Sequence, residues 1–415
     1  MSYRVVSLNE IADINPKTDT RHLSDDSLVT VLPMSSVSEE GIIKEHQIST
    51  LTNIKKGLTL FKENDVLLAK ITPCMENGKR AIAKELQNGI GFGSTEFHVI
   101  RAKQEVLPEF VYYFISQNSF RKEAELNMTG SAGQKRVPSS FLKTVKVSLP
   151  PIEEQNKIVS ALAEADALLQ KRKTAIAKLD ALLKSYFIFN VGPKHIDYDK
   201  WNELCIEELA AQYKGSMRTG PFGSDLRHSE FVEDGIAVLG IDNAVKNHFA
   251  WGERRFITEE KYEKLKRYTV KPGDVIITIM GTTGRSAVVP EDISIAITTK
   301  HLATITVNRD MTFPEFLSFS IHSHPDILHQ IKLANKGAIM DGLNLGIIKG
   351  LKLKVPPIDK QEKFIKYYHE IQLQRCLMES QLIKLEENFR SLLHQAFTGR
   401  LQFRDSKVNE YALKR

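Results

Sequence analysis

Polar, basic and glycine residues gather in a few short stretches of this chain, and their chemistry is that of contact with nucleic acid. Asn77-Gly78-Lys79-Arg80 follows the apolar run DVLLAKI, and GSAGQKR supplies Gln134, Lys135 and Arg136. In the second half, Thr282-Thr283-Gly284-Arg285 and Asn335-Lys336-Gly337 have the same character. RTGPFGSDLRHSEF adds Arg218, Ser224, Arg227 and His228. Glycine lets backbone approach a phosphate closely, and Arg and Lys neutralise phosphate or pair with guanine edges. Gln and Asn can pair with adenine. The candidate DNA contacts are therefore Asn77, Lys79, Arg80, Gln134, Lys135, Arg136, Arg218, Ser224, Arg227, Thr283, Arg285, Asn335 and Lys336.

No catalytic constellation accompanies them. GTTGRS (281–286) lacks the GxxxxGK[ST] spacing that cradles a triphosphate, and no GxGxxG follows a strand-like run. There is no GxSxG elbow and no Asn-Pro-Pro-aromatic run of the kind that holds a flipped base. His322, His324 and His329 lie close together, but no acidic or thiol partner sits at metal-ligand spacing. Pro325-Asp326 is followed by no acid-x-Lys of a nuclease. Cys74, Cys205 and Cys376 are far apart and odd in number, which offers neither a disulfide framework nor a CxxC site. The expectation is a protein with no catalytic residues, metal or cofactor.

The elements that must position these loops come in two copies. VKVSLPPIEEQNKIV (145–159) returns as LKLKVPPIDKQEKFI (351–365), and the register holds without a gap from 142/348 to 187/393 with 11 identities. Leu107-Pro108-Glu109-Phe110 matches Phe313-Pro314-Glu315-Phe316, ENDVLLAKI matches PGDVIITIM, and LNEIA matches IEELA. In each copy Pro-Pro ends a strand-like run and presets a helix start. Neither Pro nor Gly follows until Gly192 and Gly399, which allows about 35 helical residues each, or about 50 Å.

The apolar positions of these helices are spaced 4-3-4-3. The first stripe runs through Ile158, Leu162, Ala165, Leu169, Ile176, Leu179, Leu183 and Tyr186, and the second through Phe364, Tyr368, Ile371, Met378, Leu382, Leu385, Phe389 and Leu392. One arginine interrupts each stripe, Arg172 and Arg375. A strict heptad sustained this long is a coiled-coil seam. The expected seam contacts are Leu162, Leu169, Ile176, Leu179 and Leu183 against Tyr368, Ile371, Met378, Leu382, Leu385 and Phe389. The segments before each helix read as mixed α/β, with short β-branched runs between Gly, Asn and Asp clusters. The expected division is 1–150, a helix over 151–191, 192–356, a helix over 357–400 and a tail over 401–415.

The chain resembles the specificity subunit of type I restriction-modification systems over nearly its whole length. The residues that carry the likeness are GSAGQKRVPSSFLKTVKVSLPPIEEQNKIV, VPPIDKQEKFI, SLNEIADI, GPFGSDLRHSEFVEDGIAVLG and the closing AFTGRL. The second copy departs from the usual pattern at Lys360-Gln361 and at AIMDGLNLGIIK (338–349). The resemblance implies an α+β fold of two target recognition domains on a pair of long antiparallel helices, related by a pseudo-twofold repeat. Each domain would read one half of a bipartite double-stranded DNA site. The helices would set the gap between half-sites and dock two modification (methyltransferase) subunits, with restriction (translocase) subunits added. The net charge of +6 permits an anionic partner. No apolar run is long enough for a membrane span, the start MSYRVVSLNE lacks a secretory layout, and the cysteine pattern suits a reducing cytoplasm. A stand-alone DNA-modifying enzyme with degenerate motifs and a protein-binding repeat scaffold are the two competing readings.

Overall fold

The computed structural model describes residues 3–131, 133–335 and 342–403. The chain divides into two compact units, the first from 1–173 with 380–415 and the second from 174–379.

In the first unit the strand Arg4–Ser7 pairs antiparallel with Lys146–Leu149. The Ser7 amide donates to Glu10 Oε1 at 2.8 Å, which closes a tight turn and drives Leu8 and Ile11 into the core. A four-stranded antiparallel sheet follows, in the order 12–14, 97–102, 66–69, 80–82. A second sheet, in the order 47–50, 28–32, 90–93, 59–62, contains one parallel pair, 28–32 with 90–93. The helices Pro108–Ser116 and Asn118–Leu126 bring Phe110, Phe114 and Phe120 into the same core as Val66 and Ile100.

The second unit repeats this order. Asn202–Cys205 pairs with Lys352–Val355, and the Cys205 amide donates to Glu208 at 2.7 Å as Ser7 does to Glu10. Its four-stranded sheet runs 217–219, 302–305, 275–278, 286–288. Its second sheet keeps the parallel pair, here 236–239 with 296–298. Pro314–Ser323 and Pro325–Ala334 occupy the place of the first unit's helix pair, and each carries a proline at its helix start.

The recurring PPI-x-x-Q has a structural cause. Gln155 is 1% exposed. Its side chain accepts from the Leu107 amide at 3.0 Å and donates to the carbonyls of Glu105 and Pro150 at 3.1 and 3.0 Å. Gln361, fully buried, accepts from the Phe313 amide at 3.1 Å and donates to Met311 and Pro356 at 3.1 and 2.9 Å. One amide side chain thus ties the start of each long helix to the loop before the first domain helix, satisfying main-chain groups that burial would otherwise orphan.

The long helices span Ile152–Asn190 and Ile358–Phe397, 39 and 40 residues. Gly399, at φ +71°, takes the left-handed conformation that ends the second. The helices pack antiparallel, since partners on one rise in number as those on the other fall. In the first unit Ile158 and Leu162 share a core with Leu393, Ala396 and Phe397, and Lys173 reaches Glu386 at 3.4 Å. In the second unit Arg375 bonds Asp180 at 3.2 Å, Tyr186 stacks on Tyr367 at 3.9 Å between ring centroids, and Phe187 meets Phe364 at 5.3 Å. Leu162, Leu169, Leu183 and Ile371 are buried, and the other expected seam residues are half-buried. Leu168, Leu182, Leu373, Leu377 and Ile383, which lie off the stripes, are exposed. The protein is therefore an α+β fold of two mixed domains with a paired-helix element in antiparallel coiled-coil arrangement.

Candidate nucleic-acid interface

The central strand Val66–Ala69 delivers the chain to the first candidate loop. Ile71, two residues beyond it, forms a bridge with Arg136, the Thr72 amide donates to the Lys135 carbonyl at 3.0 Å, and the Val137 amide donates to the Lys70 carbonyl at 2.9 Å. The Asn77–Arg80 and Gln134–Arg136 stretches, 57 residues apart from Asn77 to Gln134 in sequence, are thereby joined at one end of the four-stranded sheet.

The second unit does the same thing at the same register. Val66 pairs with Ile100 and Val275 with Ile305, so Met280 stands where Ile71 does. Met280 bridges to Gly342, and the Leu343 amide donates to the Ile279 carbonyl at 2.9 Å. The chain leading into Thr282–Arg285 and the segment starting at Gly342 are therefore joined at the equivalent strand end. The 218–228 stretch leaves from the edge strand of that sheet. A Cβ at Gly220 would lie 2.3 Å from the Thr299 carbonyl, so only glycine passes there.

The candidate side chains fall into two groups. Arg136 forms a two-point ion pair with Glu96, Nε to Oε2 and Nη2 to Oε1 both at 2.9 Å, and holds the Glu96 carboxyl below the usual carboxylate range. Arg218, half-buried, pairs with the buried Asp274 at 2.5 Å and also donates to the Thr269 carbonyl at 2.7 Å. Arg80 donates Nε to Ser116 at 2.5 Å and Nη1 to the Gly78 carbonyl at 2.9 Å. The Asn335 side chain accepts from the Gly342 amide at 3.1 Å, tying together two points of one segment. Asn77 donates to Glu39 at 2.8 Å and Lys79 to the Met34 carbonyl at 3.4 Å. These groups shape the loops. Gln134, Lys135, Arg227 and Arg285 are exposed, and Thr283 is half-buried. Lys336 and the side chain of Ser224 lie outside the described residues.

Histidines brace the loop bases in uncharged form. His98 Nε2 lies 2.8 Å from the Val137 carbonyl and Nδ1 lies 3.0 Å from Asn15, and burial pulls its pKa down. In the second unit His322 Nδ1 lies 3.0 Å from Ser286 Oγ, and burial, with the Arg285 charge adding to it, pulls its pKa down to about 3. These residues are structural. Among the described residues no group of three or more His, Cys, Asp or Glu could hold a metal ion.

Sequence reasoning missed the segment 249–254. Trp251 is 45% exposed, Phe249 meets it edge-on at 5.3 Å, and the Arg254 guanidinium lies 5.0 Å from the Trp251 ring centroid. An exposed aromatic face with a stacked cation suits contact with a base or sugar. The aromatic-basic alternation FAWGERR was the available signal.

Comparison with known proteins gives one consistent answer. The family profile described as "Type I restriction modification DNA specificity domain" matches residues 2–179 and again 199–387. The chain is 38% identical over 178 residues to the type I restriction enzyme EcoAI specificity subunit of Escherichia coli, covering 42% of this chain and 30% of the relative. It is likewise 38% identical over 180 residues to the EcoEI specificity subunit of the same organism, again 42% and 30%. The matches thus span under a third of the length of these two relatives. The MjaVIII specificity subunit of Methanocaldococcus jannaschii matches at 20% identity over 375 residues, covering 86% of this chain and 84% of the relative. Two solved structures share the fold. A chain from a type I R-M system described for its assembly and conformational transition has a TM-score of 0.54 at 16% identity, covering 96% of this chain and 98% of its own. The type I restriction-modification S subunit from M. genitalium has a TM-score of 0.51 at 15% identity, covering 95% and 96%.

Proposed function

The chain belongs to the type I restriction modification DNA specificity family, and from that premise we propose that it is the sequence-reading subunit of a type I restriction-modification complex. The domains 1–150 and 192–356 each read one half of a split double-stranded DNA target. The observation that carries this reading is the recurrence of the loop pairs. In both units the turn after the central strand is pinned to the segment before the last domain helix, at the same register, while the exposed side chains differ. Two reading heads of one design with unlike surfaces suit two unlike half-sites.

The exposed Lys135, Arg227 and Arg285 are the contacts to bases and phosphates, with Gln134 and Thr283 beside them. Arg80, Arg136, Arg218 and Asn335 hold the loops in shape. A helix of 39 residues is about 58 Å long, which exceeds one turn of DNA at ~34–36 Å. The paired helices serve as the spacer that fixes the gap between half-sites. Their exposed Leu168, Leu182, Leu373, Leu377 and Ile383 supply apolar surface for docking two modification subunits, with restriction subunits joining the assembly. The chain itself carries no chemistry and works in the cytoplasm. No helix of the described residues is long and apolar enough to cross a membrane.

The test is selection of binding sites from a random duplex pool, with a modification subunit present. A split motif with an invariant gap is expected, and failure to select any sequence would overturn the reading. The purified chain alone, given S-adenosylmethionine and DNA, should transfer no methyl group.

A further inference from the structure

In the first unit, a cleft between the domain helices and the long helices gathers positive charge that the fold neutralises only in part. Its walls carry Arg80, Arg121, Lys173, Arg390 and His394. Arg121 lies beneath the Gly78 turn, where φ is +80° and a Cβ would stand 2.7 Å from its Nη1. One end of its guanidinium donates to Asn118, while Nε is buried with no hydrogen-bond partner. Burial, and then the Arg80 charge, pull the Arg121 pKa down, and both guanidiniums line the one cleft.

The helix Asn118–Leu126 starts in the same cleft. Its first turn has no acidic residue and its cap position makes no side-chain hydrogen bond, so its positive end adds to the field. Glu39 and Glu40 also line the cleft. Glu39 accepts from Asn77 at 2.8 Å, and a hydrogen bond from Ser38, with the Lys173 charge adding to it, holds the Glu40 carboxyl low, so the carboxylates offset part of the positive charge. Lys173 and Arg390 share the single carboxylate of Glu386, at 3.4 and 3.9 Å. The second unit lacks this inner pair at the corresponding positions, where the repeat puts Ile327 in the place of Arg121. By sheet register Ser286 stands in the place of Arg80, and the repeat puts the uncharged His322 in the place of Ser116.

We propose that this cleft binds a phosphate group, with Arg80 and Arg121 as inner donors and Lys173 and Arg390 as outer ones. The source is either a phosphodiester of bound DNA, continuing from the Asn77–Arg80 loop that forms one wall, or a free phosphate or nucleotide. Only the first of these rests on the DNA-reading function.

The experiment uses the full chain. Inorganic phosphate is titrated against chloride at matched ionic strength, with binding followed by calorimetry and by thermal unfolding. A saturable effect is expected. Arg121→Gln and Arg390→Gln should each weaken it by ~10-fold or more, and Lys17→Gln, an exposed lysine outside the cleft, should leave it within ~2-fold. Arg390 is exposed, so its variant keeps the test valid if R121Q folds poorly. Absence of saturable binding, or equal binding in all variants, would overturn the proposal. A duplex arm separates the sources. Uniformly weaker DNA binding by R390Q, with a salt slope smaller by ~1, supports a backbone phosphate. Unchanged DNA binding with lost phosphate binding supports a free phosphate or nucleotide. The duplex arm is run with a modification subunit present; if the wild-type chain then binds no DNA, the DNA reading fails and the phosphate titration still decides the cleft.

Discussion

In the first half, Asp65 is gripped by Arg101, which reaches it from the adjacent strand at 2.7 Å. In the second half, Asp274 is gripped by Arg218, which comes from the strand beyond. The place of Arg101 is taken there by Thr306, whose hydroxyl donates to Asp274 at 2.5 Å. Each aspartate also accepts from a main-chain amide three residues earlier, Lys62 and Lys271, both at 2.8 Å. It thereby closes the left-handed turn at Asn64 or Gly273 that launches the central strand. The two copies have kept the aspartate and its turn and have let the arginine migrate. What the fold demands is a partner for a buried charge, and any strand within reach can supply it.

The two halves should part most readily at these pairs. Arg101→Ala and Arg218→Ala should each destabilise their own unit by about 3–5 kcal/mol, since each leaves a buried carboxylate uncompensated; denaturant unfolding followed by hydrogen exchange localises the loss. Adding Thr306→Arg to R218A places the cation where the first half has it and should return part of the stability. No recovery would mean the strands are not interchangeable hosts. Gln155→Leu and Gln361→Leu should cost about 3 kcal/mol each by the same measurement, because each strands three main-chain groups. Unequal costs would show that the two junctions are not equivalent.

The halves should also differ in acid. His322 and His324 are held by burial at about 3 and about 4, against an ordinary value of ~6.5. The unfolded chain takes up these protons below pH ~6.5 and the folded unit does not. Their contribution is therefore complete above that pH, and it falls progressively as the pH drops toward about 3. His248 and His301 are shifted the same way, whereas His98 is the one such group among the described residues of the first half. Hydrogen exchange at pH 7 and pH 5 should show the second half loosening first.

The smallest effect separates the loop arginines. Arg285→Ala should weaken binding by about 1–3 kcal/mol at one half-site if it meets a base, or uniformly across sequences if it meets phosphate. Arg136→Ala should act through the shape of its loop, because Glu96 already occupies the guanidinium.

The repeat, the long helices and their pairing were legible because each is written in local spacing: Pro-Pro, Gln three residues after the isoleucine, and heptads interrupted once in each stripe by an arginine. The loops themselves stood out by composition. Which arginines are free was not, because Glu96 lies 40 residues from Arg136 and Asp274 lies 56 from Arg218. Only the fold brings those carboxylates to the loops. Arg121 escaped notice for the same reason: its meeting with Gly78 depends on a helix packing over a sheet.

The glutamine at each junction grips almost nothing but peptide groups; the Thr312 hydroxyl is the one side chain among its partners. A clasp that recognises only the common main chain is indifferent to what a globule carries on its outer face. The surface residues of either half can drift, or be traded wholesale for those of a distant cousin, without the fastening noticing. A new outer surface on a constant frame is what that indifference permits.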